Sequence, residues 1–567
     1  MTSRRARVGR SGIVPIVVCL LLLSAGPIAA GVSAMTADHT DGPPTDDGIR
    51  IDDDLPANGT SVEVIVRLED APVIDTAVAA DGNDVDTDRL EEHAEATQDP
   101  ILEYAADTRG ITVAEEFWVT NAVLLEVNLE RVDLETFERF EAVEAVHENF
   151  EVPVPDRPAE PTAVNGTPAA SSAGGTARAA SDVAVTPAIA AIGVPSVWDE
   201  YETRGEGVRV AVLDTGIEPS HPDLELYTDD PSDPTYPGGW AEFDDAGQRV
   251  TDSRPHDTGV HGTHVSGTVA GSAATGTAIG VAPEAELLHG LVMNETNGTF
   301  AQILAGMEWA LAEDADVINM SLGTTGTYPQ FIEPIRNANL SGAIVVGAIG
   351  NEGPETSGSP GNVYETLSVG AVAADGTVAA FSGGERLNRT DWEATPSDWP
   401  DAYTVPDVVA PGVDIASTMP DGGYARMPGT SMAAPHVAGT AGLLRSIEPE
   451  ATPADLSSVL TETTQRPAGD QKSAVETRYG TGIIDADAAA DELVERTSEV
   501  ESSMESAGGS NGSQSDESTA DGGSTAGDGD AAGIGWPGQL ATVGLAVVLG
   551  LCVVTALSGS GRERLER

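Results

Sequence analysis

Between residues 185 and 494, short apolar runs and helical stretches take turns along the chain. The clearest runs are 208–213, 287–292, 317–320, 343–348 and 367–372. Two parallel strands need a long crossover between them, and a helix supplies it. Regular alternation therefore predicts an α/β unit, a parallel sheet with helices on both faces.

A second pattern precedes it. Val62, Val64 and Val66 alternate with Glu63, Ile65 and Arg67, which predicts a strand. A charged helix is expected over 88–107, strands over 111–114 and 122–127, a helix over 134–141 and a last strand over 143–147. The order βαββαβ defines a small α+β (ferredoxin-like) domain over 61–152. Residues 35–60 are polar and read as a linker. Residues 153–184, rich in Ala, Pro and Gly, read as a second one.

The two ends carry apolar runs. Arg4, Arg5, Arg7 and Arg10 precede an apolar stretch over 13–23, and small residues continue to Ala34. This is the layout of a signal peptide, 1–34. An uncleaved anchor and twin-arginine export remain open. At the other end, 495–532 is Ser, Gly and Asp without periodicity and is expected to be disordered. A transmembrane helix is expected over 533–560. Its dense apolar part, 540–557, spans roughly 27 Å as a helix, close to the ~30 Å hydrocarbon core. The tail 561–567 holds Arg562, Arg564 and Arg567, which favours a cytoplasmic side. The expected location is the cell surface, exported and anchored in the cytoplasmic membrane by this helix. Removal of that helix, with a loose likeness to archaeal sorting tails around Trp536-Pro537-Gly538, is the alternative.

Composition narrows the partners. The 567 residues hold 92 acidic and 28 basic side chains, a net charge of -64, with Lys472 the single lysine. Such a field repels nucleic acid, so none is expected as a partner. The acid-rich, lysine-poor pattern resembles proteins of salt-loving microbes, halophilic archaea in particular. The two cysteines, Cys19 and Cys552, lie in the terminal apolar runs, so no disulfide staples the middle.

Four blocks carry chemistry. Nucleophilic catalysis by a hydroxyl needs the hydroxyl, a neutral base, an acid to orient the base, and donors for the oxyanion. Arg209-Val-Ala-Val-Leu-Asp214-Thr-Gly216 ends a buried strand in an acid and a turn, and ligands gather at such strand ends. Asp257-Thr-Gly-Val-His261-Gly-Thr-His264 sets His261 at the mouth of a helix and His264 one turn on, packed or partly exposed. The pair lacks the spacing and the Glu of a zinc-protease helix. Pro428-Gly429-Thr430-Ser431-Met432 puts Ser431 where a helix starts. The flanking Gly429, Ala433 and Ala434 are small enough to admit a substrate backbone. A plain N-cap is the other role for such a serine. Gly347-Ala-Ile-Gly350-Asn351-Glu-Gly353 ends a strand in an asparagine.

Together these blocks resemble the subtilisin-like serine proteases over residues 185–494, in that family's order of Asp, His and Ser. The resemblance implies that Asp214 orients the base, His261 is the base and Ser431 the nucleophile. It implies that the Asn351 amide and the Ser431 backbone N–H bind the oxyanion. Ser321, Leu322 and Gly323 match the edge that pairs with an extended peptide, and Gly298 and Thr299 match its opposite side. Gly347 and Gly358 match the first side-chain pocket, whose small walls suit large apolar residues. Asp223 matches a frequent metal ligand. Its partner loop, 272–278, lacks carboxylates, so this calcium site is expected to be weakened or lost. No cofactor is expected for the chemistry, with structural calcium as an option. The 61–152 domain resembles the family's inhibitory pro-region. The expected partners are therefore protein and peptide substrates, the chain's own pro-domain, and a membrane. The opposing reading is a catalytically silent surface-binding protein on a protease scaffold.

Overall fold

Strand Arg209–Asp214 sorts its side chains by the two-residue period of extended chain: Val210 and Val212 enter one apolar cluster, Ala211 and Leu213 another. A strand buried on both faces needs such a run, and Val317–Met320 beside it and Ile344–Ala348 one strand further on have one too. The structure, a computed structural model, describes residues 49–52, 55, 61–71, 87–154, 159–164, 184–228, 238–466 and 477–508.

Seven parallel strands form the main sheet. In spatial order they are Trp240–Glu242, Glu286–Leu291, Arg209–Asp214, Val317–Met320, Ile344–Ala348, Leu367–Val372 and Val408–Pro411. The first of these in the sequence, Arg209–Asp214, is flanked by the third and the fourth, so the winding direction reverses beside it. Crevices at such reversal points, outside the carboxyl ends of strands, are where ligands bind. Helices His261–Ala270 and Thr430–Ile447 share the Val210 cluster, and Phe300–Ala312 and Ile332–Leu340 share the Leu213 cluster. The sheet is thus covered on both faces.

The N-terminal module has strands Val62–Leu68, Ile111–Phe117, Ala122–Val127 and Val143–Glu148, with helix Thr87–Asp107 between the first two. The expected helix over 134–141 is a 3-10 turn, Leu134–Arg139. Arg50–Ile51, expected within a linker, adds a parallel edge strand to Val143–Glu148. One face of the module closes its own core. The other face gives Ile65, Phe117, Val119 and Leu124 to the cluster of helices Phe300–Ala312 and Ile332–Leu340. Phe150 stacks on Phe300 at 4.9 Å between centroids.

Two further expectations are revised. Thr162–Val164, inside the expected linker 153–184, pairs with Tyr424–Met427. The last helix, Ala486–Gly508, runs into the stretch expected to be disordered; Arg496 bonds Glu492 one turn back and Glu462 on a neighbouring helix. Among the described residues no helix is long and apolar enough to cross a membrane. The signal peptide 1–34, the membrane helix 533–560, the tail 561–567 and both cysteines lie outside the described residues.

Candidate active site

Asp214 is the last residue of its strand and is fully buried. The chain must then turn sharply, and Gly216 does so at φ 113°, where a Cβ would lie 2.0 Å from the His256 carbonyl. Its amide donates to His289 Nε2 at 3.2 Å. That bond fixes His289 as the Nδ1-protonated tautomer, and burial lowers its pKa to about 4, so the ring stays neutral.

His261 is the first residue of its helix rather than a residue before it, and is 4% exposed. Its Nδ1 donates to Asp214 Oδ1 at 2.8 Å and Oδ2 at 3.0 Å. A carboxylate on Nδ1 fixes the tautomer in which Nε2 can take a proton. Asp257 ties the two segments together. Its Oδ1 accepts from the Thr215 hydroxyl (2.9 Å), and its Oδ2 accepts from the Thr263 N–H (2.9 Å) and hydroxyl (2.6 Å). Sequence reasoning gave Asp257 no role. The signal was its place four residues before His261, where an acid can bond the open N–H groups of a first turn. His264 is fully buried, with Nε2 bonded to the Ile415 carbonyl at 3.0 Å, and burial lowers its pKa to about 3. It is a packed residue, and among the described residues no cluster of three or more metal-ligating side chains occurs.

Ser431 is the second residue of helix Thr430–Ile447, past the N-cap, which is Gly429. Its Oγ has no hydrogen-bond partner among the described residues. Its carbonyl accepts from Ser321 Oγ at 2.9 Å, which locks the helix start to the end of strand Val317–Met320. Ala433 and Ala434 are fully buried in the Val210 cluster. They bring the helix close to the sheet and do not face a substrate. Asn351 follows the end of strand Ile344–Ala348. Its Oδ1 accepts from the Thr430 N–H and the Thr430 hydroxyl, both at 3.0 Å. Held by its oxygen, the amide presents Nδ2 beside Gly429, where a Cβ would stand 3.8 Å from it. Thr430 is a second residue the sequence reading left without a role.

A cavity of about 310 Å³ adjoins this constellation, lined by Leu322, Gly323, Thr324, Ala348, Gly358 and Thr430 among others. Gly358 is on its wall and Gly347 is not; a Cβ on Gly347 would meet Thr366 and Gly361 instead. Glu352, unforeseen from the sequence, adds a carboxylate to the lining. Gly298 and Thr299 lie in strand Asn297–Thr299, which pairs antiparallel with Glu151–Pro153 of the N-terminal module. Pro153 and Val154 continue from there to the cavity.

Asp223 is buried, and its carboxylate is saturated from the loop that was expected to fail as a calcium partner. Oδ1 accepts from Ser272 Oγ (3.0 Å) and the Ala274 N–H (2.6 Å), and Oδ2 from Thr275 Oγ1 (3.3 Å) and the Tyr424 hydroxyl. Four donors use the roughly four lone-pair sites of a carboxylate. These residues do not fit a metal ion.

A buried acid–imidazole pair at the carboxyl end of a central parallel strand, with a serine in the first turn of a helix packed on the same face of the sheet, defines the class of α/β serine hydrolases. The sequence comparisons make the class specific. Residues 205–482 match the subtilase family. The chain is 36% identical to an intracellular serine protease of Paenibacillus polymyxa over 45% of this chain and 71% of that protein. It is 37% identical to subtilisin E of Bacillus subtilis, over 53% and 70% respectively. It is 36% identical to subtilisin of Bacillus pumilus, over 53% of this chain and 97% of that protein. The chain belongs to the subtilase family and is a subtilisin-like serine endopeptidase.

Proposed function

We propose that this protein is a secreted, membrane-tethered endopeptidase that is matured by removal of its N-terminal module. Ser431 Oγ attacks the scissile carbonyl while His261 Nε2 takes its proton. Asp214 holds the ring and stabilises the imidazolium. The Asn351 Nδ2 and the Ser431 N–H donate to the oxyanion. His261 then returns the proton to the leaving amine, and water releases the acyl group by the same steps in reverse. No cofactor enters the chemistry. The observation that carries this reading is the buried Asp214–His261 pair, at 2.8 Å, on the same face of the sheet as a serine whose hydroxyl is unpartnered among the described residues.

Ser321, Leu322 and Gly323 run beside an extended peptide on one side, with Gly298 and Thr299 on the other. The cavity behind Gly358 takes the side chain before the scissile bond. Its size suits a large apolar group, and Glu352 offers a partner to a basic one. The pairing of Glu151–Pro153 with Asn297–Thr299 supports an inhibitory module, since it fills the cleft as a peptide would. The basic start and the apolar run 13–23 support export, and the apolar run 540–557 supports a tether.

The test compares the wild type with Ser431→Ala in high salt, following chain length and peptide cleavage. The wild type is expected to lose the module and cut peptides. The variant is expected to stay full-length and to lose about 10⁶ in kcat, as when an acyl-transfer nucleophile is removed. Equal cleavage by both would overturn the assignment of Ser431.

A further inference from the structure

Strands Thr324–Thr325 and Gly358–Ser359 pair antiparallel and give Thr324, Thr325 and Gly358 to the cavity lining. One buried side chain joins them. Asn362 Nδ2 donates to the Gly326 carbonyl, just after the first strand, and to Ser357 Oγ, just before the second, each at 2.9 Å. Its Oδ1 accepts from Ser359 Oγ at 2.6 Å. An amide with both ends committed cannot rotate without leaving buried groups unpaired, so it holds the paired strands, and Thr324, Thr325 and Gly358 on them, in one position against the rest of the cavity.

A hairpin stands behind this amide. Its strands, Glu385–Asn388 and Ala402–Val405, pair antiparallel, with a 3-10 turn, Arg389–Asp391, after the first. It reaches the residues flanking these strands at three points. Tyr403 donates its hydroxyl to the Asn362 carbonyl at 2.7 Å. Glu385 Oε1 accepts from Ser357 Oγ at 2.6 Å. The Asp391 carbonyl accepts from Thr327 Oγ1 at 2.9 Å. The hairpin is itself stiff. Trp392 and Trp399 are buried and meet edge to face at 5.2 Å, and Trp399 meets Tyr403 at 5.7 Å. Trp399 Nε1 also donates to Glu365 at 2.7 Å, and Glu365 bonds Arg336 of helix Ile332–Leu340.

We propose that this hairpin is a specificity brace: Tyr403 and Glu385, acting through Asn362 and Ser357, are positioning residues that hold the side-chain pocket at the width that admits large apolar groups. None of them touches the reacting atoms. The proposal rests on the reading of the cavity as the pocket for the residue before the scissile bond. A wall set loosely by even an ångström gives up the fit on which discrimination depends.

The test uses the mature enzyme and three peptides that differ only in that residue: Phe, Leu or Ala. Tyr403→Phe removes one hydroxyl and keeps the ring. Glu385→Ala removes an acceptor, and Glu385→Gln keeps an oxygen for Ser357. In Tyr403→Phe and Glu385→Ala the Phe-to-Ala ratio of kcat/KM should fall about three- to tenfold, the range one lost hydrogen bond supplies. The Ala peptide and the pH profile of kcat should stay as in the wild type, and Glu385→Gln should restore the ratio. An unchanged ratio in both disrupting variants overturns the brace while the pocket reading stands, as does a parallel loss on all three peptides that tracks a lower Tm. A wild type that turns over all three peptides alike overturns the pocket reading and the brace with it.

Discussion

Asn351 is gripped at its oxygen by both donors of Thr430, one residue before Ser431. Two substitutions therefore separate its two roles. Asn351→Asp keeps an acceptor for Thr430 but puts a negative charge where a donor should meet the oxyanion. Asn351→Ala loses the donor and the grip together. In the alanine variant kcat should fall about 10²–10³-fold, the usual loss for one oxyanion donor, with KM little changed. The aspartate variant should fall further at an unchanged Tm. Activity within a few fold of wild type in either would remove Asn351 from the oxyanion site. Asp223 invites a different measurement. Asp223→Asn turns one saturated acceptor into a donor facing donors, which should cost about 1–3 kcal/mol in denaturant unfolding. Added calcium should leave the wild-type Tm unmoved at this loop; a calcium-dependent rise that vanishes in Asp223→Asn would restore the metal assignment.

At the scale of elements, the interface of the N-terminal module with helices Phe300–Ala312 and Ile332–Leu340 carries half-buried acids. Glu308 accepts from the N–H groups of Trp118 (2.5 Å) and Val119 (2.9 Å). Burial raises its pKa from 4.5 to about 8, with Glu115 and Glu91 adding repulsion. Asp70 faces Glu333, with Arg67 and Arg336 nearby; burial first, then Glu333, raises its pKa from 3.8 to about 7. Both acids hold their protons to higher pH when docked than when exposed, so docking takes up protons. Their contribution to docking is complete below about pH 4 and is lost as pH rises through about 7 to 8. In the full-length Ser431→Ala chain, amide exchange protection at Trp118 and Val119, corrected for intrinsic rate, should therefore fall between pH 5 and 8. Glu308→Gln keeps an acceptor without the charge and should flatten that fall. Protection that rises with pH would contradict this account.

The same scale shows what the sequence could and could not tell. Strands such as Val317–Met320 and the βαββαβ order were legible because each apolar period has a single geometry that buries it. Asp214, His261 and Ser431 were singled out because their three blocks together resemble the subtilisin-like proteases; each block alone reads equally well as a structural turn or a helix cap. Thr430, Asp257 and the Asn362 brace were not, since a polar side chain's partner is set by tertiary approach and leaves no local period. Thr162–Val164 was missed for the same reason: an edge strand three residues long is specified by its partner, Tyr424–Met427.

Across the whole molecule the net charge of -64 sets the terms. The single lysine lies outside the described residues, so every ion pair among these runs through an arginine or a histidine. Arginines serve two acids at once: Arg209 holds Glu286 and Asp314, Arg336 holds Glu365 and Asp398, Arg496 holds Glu462 and Glu492. Most carboxylates still repel one another, and screening relieves that over a length that shrinks from about 10 Å at 0.1 M salt to about 3 Å at 1 M. Tm should climb steadily with NaCl across that range. A flat or falling Tm would show that repulsion does not limit stability. The pairing of Glu151–Pro153 with Asn297–Thr299 has a consequence of another kind. Both strands belong to one polypeptide, so the occupant's local concentration at the cleft is set by its tether and not by how much protein surrounds it. Diluting the intact chain cannot empty the cleft. Once the connection is cut, the same contact becomes an encounter between two molecules, and every further dilution favours separation. For an enzyme held at a membrane as proposed above, loss of the cut module into the surrounding volume would then act as the timer that lets cutting begin.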